Sequence, residues 1–446
     1  MFPITSRKQV SFDPLMQAVQ QGAGQIPEHR PGPTDYSIAD AVLSGIAMFS
    51  LKDPSLLAFQ ERRNDQNMKN IYRIENVPSD TQMREILDPI DPDQLRPLFQ
   101  DVFRNVQRSG ALPPFVFHEG AYLLSLDGTE YYSSKKVHCP SCLQRKHANG
   151  QVTYYHQMVG AVLVHPDQRQ VIPLAPEPII KQDGQTKNDC ERNASKRLLE
   201  KIREEHPHLK LIVVEDGLAS NAPHIRLLRK LRMHFLLGCK PDDHQHLMQQ
   251  VEQASQDDRL TTLRWHDAQR DVWCEIQYVH RLTLNQSNLD VLVNFLRYTE
   301  SHAPGDRVAN FSWVTDLTIT EEHALHLVRG GRARWKVENE TFNTLKNQGY
   351  QFEHNFGHGR ENLSVVFAML MMLAFLVDQV QELCCGVFQA VRGKFTSRRS
   401  VWDHIRSHFR HFVFVSMEHL YAVLLTDSAT NLPAPHSARQ FARPPT

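Results

Sequence analysis

Between residues 121 and 238 the chain alternates short apolar runs with polar, amphipathic stretches, and few folds accept that order. AYLLSLD, TYYHQMVGAVLVH and QVIPLAP read as strands, the last two joined across PDQRQ. NDCERNASKRLLEKIREEH and APHIRLLRKLR read as helices, and LKLIVVEDG and MHFLLGCK as buried strands. The predicted order is β-β-β-α-β-α-β. Three antiparallel strands followed by a βαβαβ unit specify an α/β fold with a mixed five-stranded sheet.

That order is the ribonuclease H-like arrangement, expected over residues 111–240. Residues 1–110 carry helical spacing and helix-start signals such as PSD and IDPD, and are expected to form an all-helical region. Residues 241–325, with LTTLRWHD, DVWCEIQYVHRLTL and ANFSWVTDL, read as a β-rich insertion. Residues 326–425 return to helices, and the Pro-, Ser- and Ala-rich tail 426–446 is expected to fray. No fixed-period repeat is visible. The longest apolar run, SVVFAMLMMLAFLV at 364–377, is shorter than the roughly 20 residues of a membrane span and stops at Asp378, so a buried helix is expected. The N-terminus has no apolar run that would read as a secretory signal. Seven irregularly spaced cysteines fit a reducing, cytoplasmic compartment. Lys+Arg 50 against Asp+Glu 50 leaves any basic surface local.

Two acids fall at predicted strand ends, Asp127 after AYLLSL and Asp216 after LKLIVVE. Each precedes a glycine, and Asp-Gly by itself reads as a turn. In the proposed sheet their strands are neighbours, so the carboxylates could face each other. A third acid, Glu338, lies on the predicted helix in RARWKVENETFNTLKNQGYQFEHNFGHG, positions 332–359. Glu340 points about 200° away on that helix at ~100° per residue and reads as structural. Three clustered carboxylates repel unless cations neutralise them, and hard oxygen ligands suit Mg²⁺ or Mn²⁺. Two such ions roughly 4 Å apart serve phosphoryl transfer.

LDGTEYYSSKK, VVEDGLASN and the Arg334-x3-Glu338 core together resemble the DDE-type transposases of bacterial insertion sequences, whose ribonuclease H-like domain carries a β-strand insertion before its last acid. The resemblance covers about residues 35–410. It implies Asp127, Asp216 and Glu338 as catalytic metal ligands, and Arg334, with Trp335 beside it, as a DNA contact. The family's last motif, Tyr-x2-Arg-x3-Glu-x6-Lys, is met in part: Gly331 stands at the Tyr position and Leu345 at the Lys position, with Lys346 next. Lys346 could contact a phosphate, and His354 or His358 could hold DNA or cap the helix. The resemblance further implies binding of terminal inverted repeats in double-stranded DNA by the N-terminal helices, hydrolysis of the donor strand, joining of the freed 3′-hydroxyl to target DNA, a homodimer in the DNA complex, and a bacterial, nucleoid-associated protein with no membrane partner.

Two further signals stand apart from the acids. Cys139-x2-Cys142 with His147 and His156, and His138 adjacent, is a candidate structural Zn²⁺ site. Its bland alternative is two ordinary cysteines in a hairpin loop. VRGKFTSRRSVWDHIRSHFRHF at 391–412, including Arg398 and Arg399, interleaves basic and aromatic residues as a DNA-contacting helix would, or as a solvated amphipathic one would; RLLRKLR at 226–232 is similar. The competing functions are a stand-alone endonuclease or junction resolvase, a non-catalytic DNA-binding protein derived from such an element, and, more remotely, a zinc scaffold.

Overall fold

The apolar runs pair into one mixed sheet. In the computed structural model, which describes residues 8–181, 190–302 and 307–426, the strands are β1 Val116–His118, β2 Ala121–Ser134, β3 Leu143–Lys146, β4 Val152–Val164, β5 Ile172–Pro173, β6 Glu177–Ile179, β7 Leu211–Glu215, β8 His234–Gly238, β9 Thr261–Asp267, β10 Val272–Thr283, β11 Leu292–Ser301 and β12 Arg307–Thr315. The order across the sheet is β3-β4-β2-β7-β8-β12-β11-β10-β9, with β1, β5 and β6 pairing at its margins. Strand β2 is antiparallel to β4 and parallel to β7, and β7 is parallel to β8. The parallel pairs follow from the crossover helices Glu191–Glu205 and Ala222–Lys230. Every residue of β7 is buried, as expected for a strand covered on both faces. This is an α/β fold with a ribonuclease H-like core and helices to its N-terminal side.

Three details differ from the sequence expectations. Strand β2 does not close at Asp127; it runs on to Ser134, and Asp127 sits mid-strand opposite Gly160 of β4. A local Asp-Gly turn signal is overruled here by continuous cross-strand pairing. QVIPLAP holds only the short β5, and β6 follows directly after it, both against β4. The insertion contains a helix, Gln245–Gln256, ahead of its four strands. Those strands extend the core sheet, because β12 pairs with β8 through Trp313 beside Gly238.

The apolar run at 364–377 belongs to a longer helix, Leu363–Cys384, which is long and apolar enough to cross a membrane but is buried inside the fold. Asp378 does not end it. Its carboxylate meets Lys52 Nζ at 2.6 Å and accepts from the Tyr350 hydroxyl, so the charge is paired where it is buried. This helix packs on the helix Ile38–Ser50, where a Cβ on Gly45 would lie 2.6 Å from Leu370 Cδ1. The N-terminal helices therefore share one hydrophobic core with the C-terminal helices. The tail expected to fray lies, past Thr426, outside the described residues.

Candidate active site

Pairing register brings the first two acids level. Ser125 of β2 sits beside Val214 of β7; Asp127 and Asp216 each follow two residues later, close enough for the Asp216 charge to act on Asp127. Asp216 lies just past the end of β7, where its Oδ1 accepts from the Leu218 amide at 2.9 Å. Gly238 of β8 makes room for that turn: a Cβ there would stand 3.2 Å from the Asp216 carbonyl carbon. The preceding Glu215 faces the other way, into the core, and bonds His224 at 2.6 Å.

The segment carrying Glu338 is not a plain α-helix. The helix Glu321–Arg332 tightens into a 3₁₀ turn at Ala333–Trp335 and widens into a π-helix at Val337–Phe342, with Glu338 inside it. Such bulges recur at functional sites, because they turn a side chain out of the regular helical register. The segment docks on β2 and β4. Ser125 Oγ donates to the Arg334 carbonyl at 2.9 Å, and the Phe342 ring lies where a Cβ on Gly160 would be, 2.9 Å from its Cζ. Gly331, at the position of the family's Tyr, is packed under the indole of Trp313, so a side chain there has no room.

The electrostatics show the acids as one group. Burial lifts the Asp127 carboxyl above its usual range; the Arg334 guanidinium pulls it back, and Asp216 and Glu338 push it up again. Arg334 Nη1 stands 3.2 Å from Asp127 Oδ2 and stacks over the Trp335 ring at 4.6 Å. Trp335 itself is 48% exposed. Glu340 acts on Lys336, away from the acids.

A fourth carboxylate joins them that sequence reasoning missed. Glu191 opens the helix Glu191–Glu205, and a Cβ on Gly128 would fall 2.5 Å from its Oε2. The Gly128 amide donates to Asp127 Oδ1 at 2.9 Å and also to Glu191. Desolvation raises the Glu191 carboxyl, and the charges of Asp127, Asp216 and Glu215 raise it further. The signal was the glycine after the first acid, which admits a neighbour where any side chain would exclude one.

The remaining sequence candidates separate. Lys346 pairs with Glu353 at 2.9 Å and lines a cavity of about 550 Å³ with Arg399, Arg406, Arg410 and Trp402; none of the four acids reaches it. Arg398 turns inward to Glu382 at 2.6 Å, which corrects its expected place on a DNA-facing surface. In RLLRKLR, Arg226 pairs with Asp290. His354 is exposed and rests on Phe356. The Cys/His cluster also needs correction. His147 is exposed and bonds Thr153 Oγ1 at 2.8 Å, whereas His358 joins Cys139, Cys142 and His156, all four buried. His147 is close in sequence only: it lies beyond β3, at the far end of the hairpin from His156.

Comparison with known families matches residues 122–376 to the family described as transposase DDE domain. A comparison with curated proteins finds no match. The matched span runs from the strand of Asp127 through Asp216 and Glu338 into the long buried helix, and covers more than half of the chain. The chain belongs to the transposase DDE domain family.

Proposed function

We propose that this chain is an active transposase that cleaves DNA at the ends of a bacterial insertion sequence and transfers the 3′-hydroxyl into target DNA. The observation that carries this reading is the meeting of Asp127, Asp216 and Glu338 from two strands and a π-helix, close enough for the charges of the last two to raise the first. Such a donor set fits divalent cations: it is all hard oxygen, crowded with like charge, and countered by one guanidinium. Asp127, Asp216 and Glu338 would hold two Mg²⁺ or Mn²⁺ ions, with Glu191 completing the ring of carboxylates. Bound there, the cations would supply Lewis-acid activation of the attacking oxygen and charge stabilisation at the leaving oxygen.

The chain's own residues do the rest. Arg334 holds Asp127 in place and neutralises part of the cluster before the ions arrive. Its partner Trp335, exposed beside the acids, offers a face on which an unpaired base could stack. Lys346 and Arg399 share a basic groove suited to backbone phosphates at a distance from the cut. The N-terminal helices would read the terminal inverted repeats, and paired cutting of two ends calls for a homodimer. The protein would act in the bacterial cytoplasm, at the nucleoid.

The test is cleavage of a labelled duplex bearing the element's own end, with Mg²⁺ or Mn²⁺, by the native chain and by Glu338→Gln. Cutting by the native chain alone, with binding kept in the variant, is the expected result. Equal cutting by both removes Glu338 from the chemistry. Tight binding without cutting by either identifies a DNA-binding derivative that has lost catalysis.

A further inference from the structure

We propose that Cys139, Cys142, His156 and His358 form a closed zinc site that clasps the chain leaving the last acid onto the strands that carry the first. The geometry is close to that of a loaded site. Zn–S bonds of about 2.3 Å and Zn–N bonds of about 2.0 Å in a tetrahedron set ligand-to-ligand edges of roughly 3.3–3.8 Å. The sulfurs of Cys139 and Cys142 stand 3.6 Å apart, each is 3.3 Å from His156 Nε2, and Cys142 Sγ is 3.7 Å from His358 Nδ1. The four ligand atoms all lie within 4.8 Å of one another. Both cysteines are free thiols. Four soft or borderline ligands, all buried, with no open position, describe a structural zinc site and not a catalytic one.

Topology explains what such an ion would do. The two cysteines lie on the loop from β2 to β3, and His156 is on β4 opposite Tyr132 of β2. His358 comes from 349–362, which links the Glu338 segment to the helix Leu363–Cys384 and contains no regular element. Other contacts hold both ends of that link: Tyr350 bonds Asp378, and Phe356 packs on Phe49 and Phe367. Asp88 gathers the amides of Arg360, Glu361, Asn362 and Leu363, Phe352 rests on Tyr131, and Ser141 Oγ bonds the Glu361 carbonyl. Zinc would close a ring from β2 through β4 to the segment downstream of Glu338, fixing the third acid's helix from its C-terminal side. The Tyr132 ring, 4.1 Å from that of His358, and Tyr131 stacked near His156 would keep water from the metal.

The experiment needs no DNA, so its outcome is independent of the transposase reading. Zinc is measured by elemental analysis in the native chain and in His147→Ala, His358→Ala and Cys142→Ser. About one zinc per chain is expected in the native protein and in His147→Ala, with loss in the other two. Because a ligand variant can fail to fold, the native chain is also loaded with Co²⁺, and the intensities of its thiolate charge-transfer and tetrahedral bands are read. Two thiolates support the site, and chelation should then open 349–362 to protease. A native chain without zinc, a Cys139–Cys142 disulfide, a cobalt spectrum with fewer than two thiolates, or zinc kept in His358→Ala but lost in His147→Ala would each overturn the proposal.

Discussion

One pair of strands carries two clusters of opposite character. At Asp127, opposite Gly160, β2 presents a carboxylate to those of Asp216, Glu338 and Glu191, like charges with Asp216 exposed to solvent. Further along, where Tyr132 faces His156, the same ribbon presents sulfur and nitrogen in a buried pocket. Each cluster draws its last member from far downstream, Glu338 in one case and His358 in the other. The first is costly to the fold without cations, since Asp127 and Glu191 are held above the usual carboxylate range. The second is compact and nearly neutral once metallated. On the proposed reading, the contrast separates a site for chemistry from a site that keeps a geometry: the one stores repulsion, the other removes it.

The comparison breaks most visibly if both clusters respond alike to loss of one ligand. Asp216→Asn keeps the acceptor for the Leu218 amide, so the fold should hold. Cleavage should fall roughly a thousandfold, since metal charge stabilisation is worth several kcal/mol and about 1.4 kcal/mol is tenfold. Cys142→Ser should instead lower Tm by about 5–10 °C, as several kcal/mol of metal-linked stability are lost. Thermal melts and cleavage rates on the same two variants decide it. A stable Cys142→Ser chain or an unstable Asp216→Asn chain would show that the roles are not divided this way.

How far this was visible beforehand depends on the range of each signal. The core strand order was legible because buried strands leave continuous apolar runs, and the three candidate acids stand out because each sits at the edge of such a run or beside a distinctive Arg-Trp pair. Glu191 was not, because its stretch is polar and only the missing side chain at Gly128 draws it in. Sequence spacing favours His147 over His358, because nearness along the chain stands in for nearness in space. The strand reads as closing at Asp127 for the same reason: the pairing that keeps β2 extended comes from β4, outside any local window. In sequence the apolar run of the helix Leu363–Cys384 reads as stopping at Asp378, because its partner, Lys52, is hundreds of residues earlier.

A finer test uses pH. Asp127 and Glu191 have folded-state pKa values above their ordinary values of 3.8 and 4.5, so ionising them costs more in the fold than in the unfolded chain. The metal-free chain should therefore lose stability as pH rises from those ordinary values through the raised ones, the reverse of a salt-bridged carboxylate. Cation binding needs the ionised forms, so cleavage should climb over the same window. Glu191→Gln should flatten the stability loss, move the acid limb of cleavage to lower pH, and cost about 10- to 100-fold in rate at the plateau. An unmoved limb would take Glu191 out of electrostatic contact with the other acids.

The smallest expected effect tests placement alone. Gly128→Ala adds one methyl, 2.5 Å from Glu191 Oε2 and 2.6 Å from its Cδ. Those atoms end a flexible side chain in the first turn of its helix, so the carboxylate can swing outward and β2 need not move. Alanine is acceptable in an extended strand, and the amide donating to Asp127 is kept. Tm should change little, and cleavage should fall about tenfold, less than for Glu191→Gln, because the displaced carboxylate still contributes at longer range. The double variant carries the decision. If Glu191 acts from the position Gly128 allows it, Gly128→Ala should add nothing once Glu191 is Gln, because both changes remove one interaction. If the two losses multiply instead, the methyl is disturbing Asp127 itself, and Gly128 serves the first acid directly.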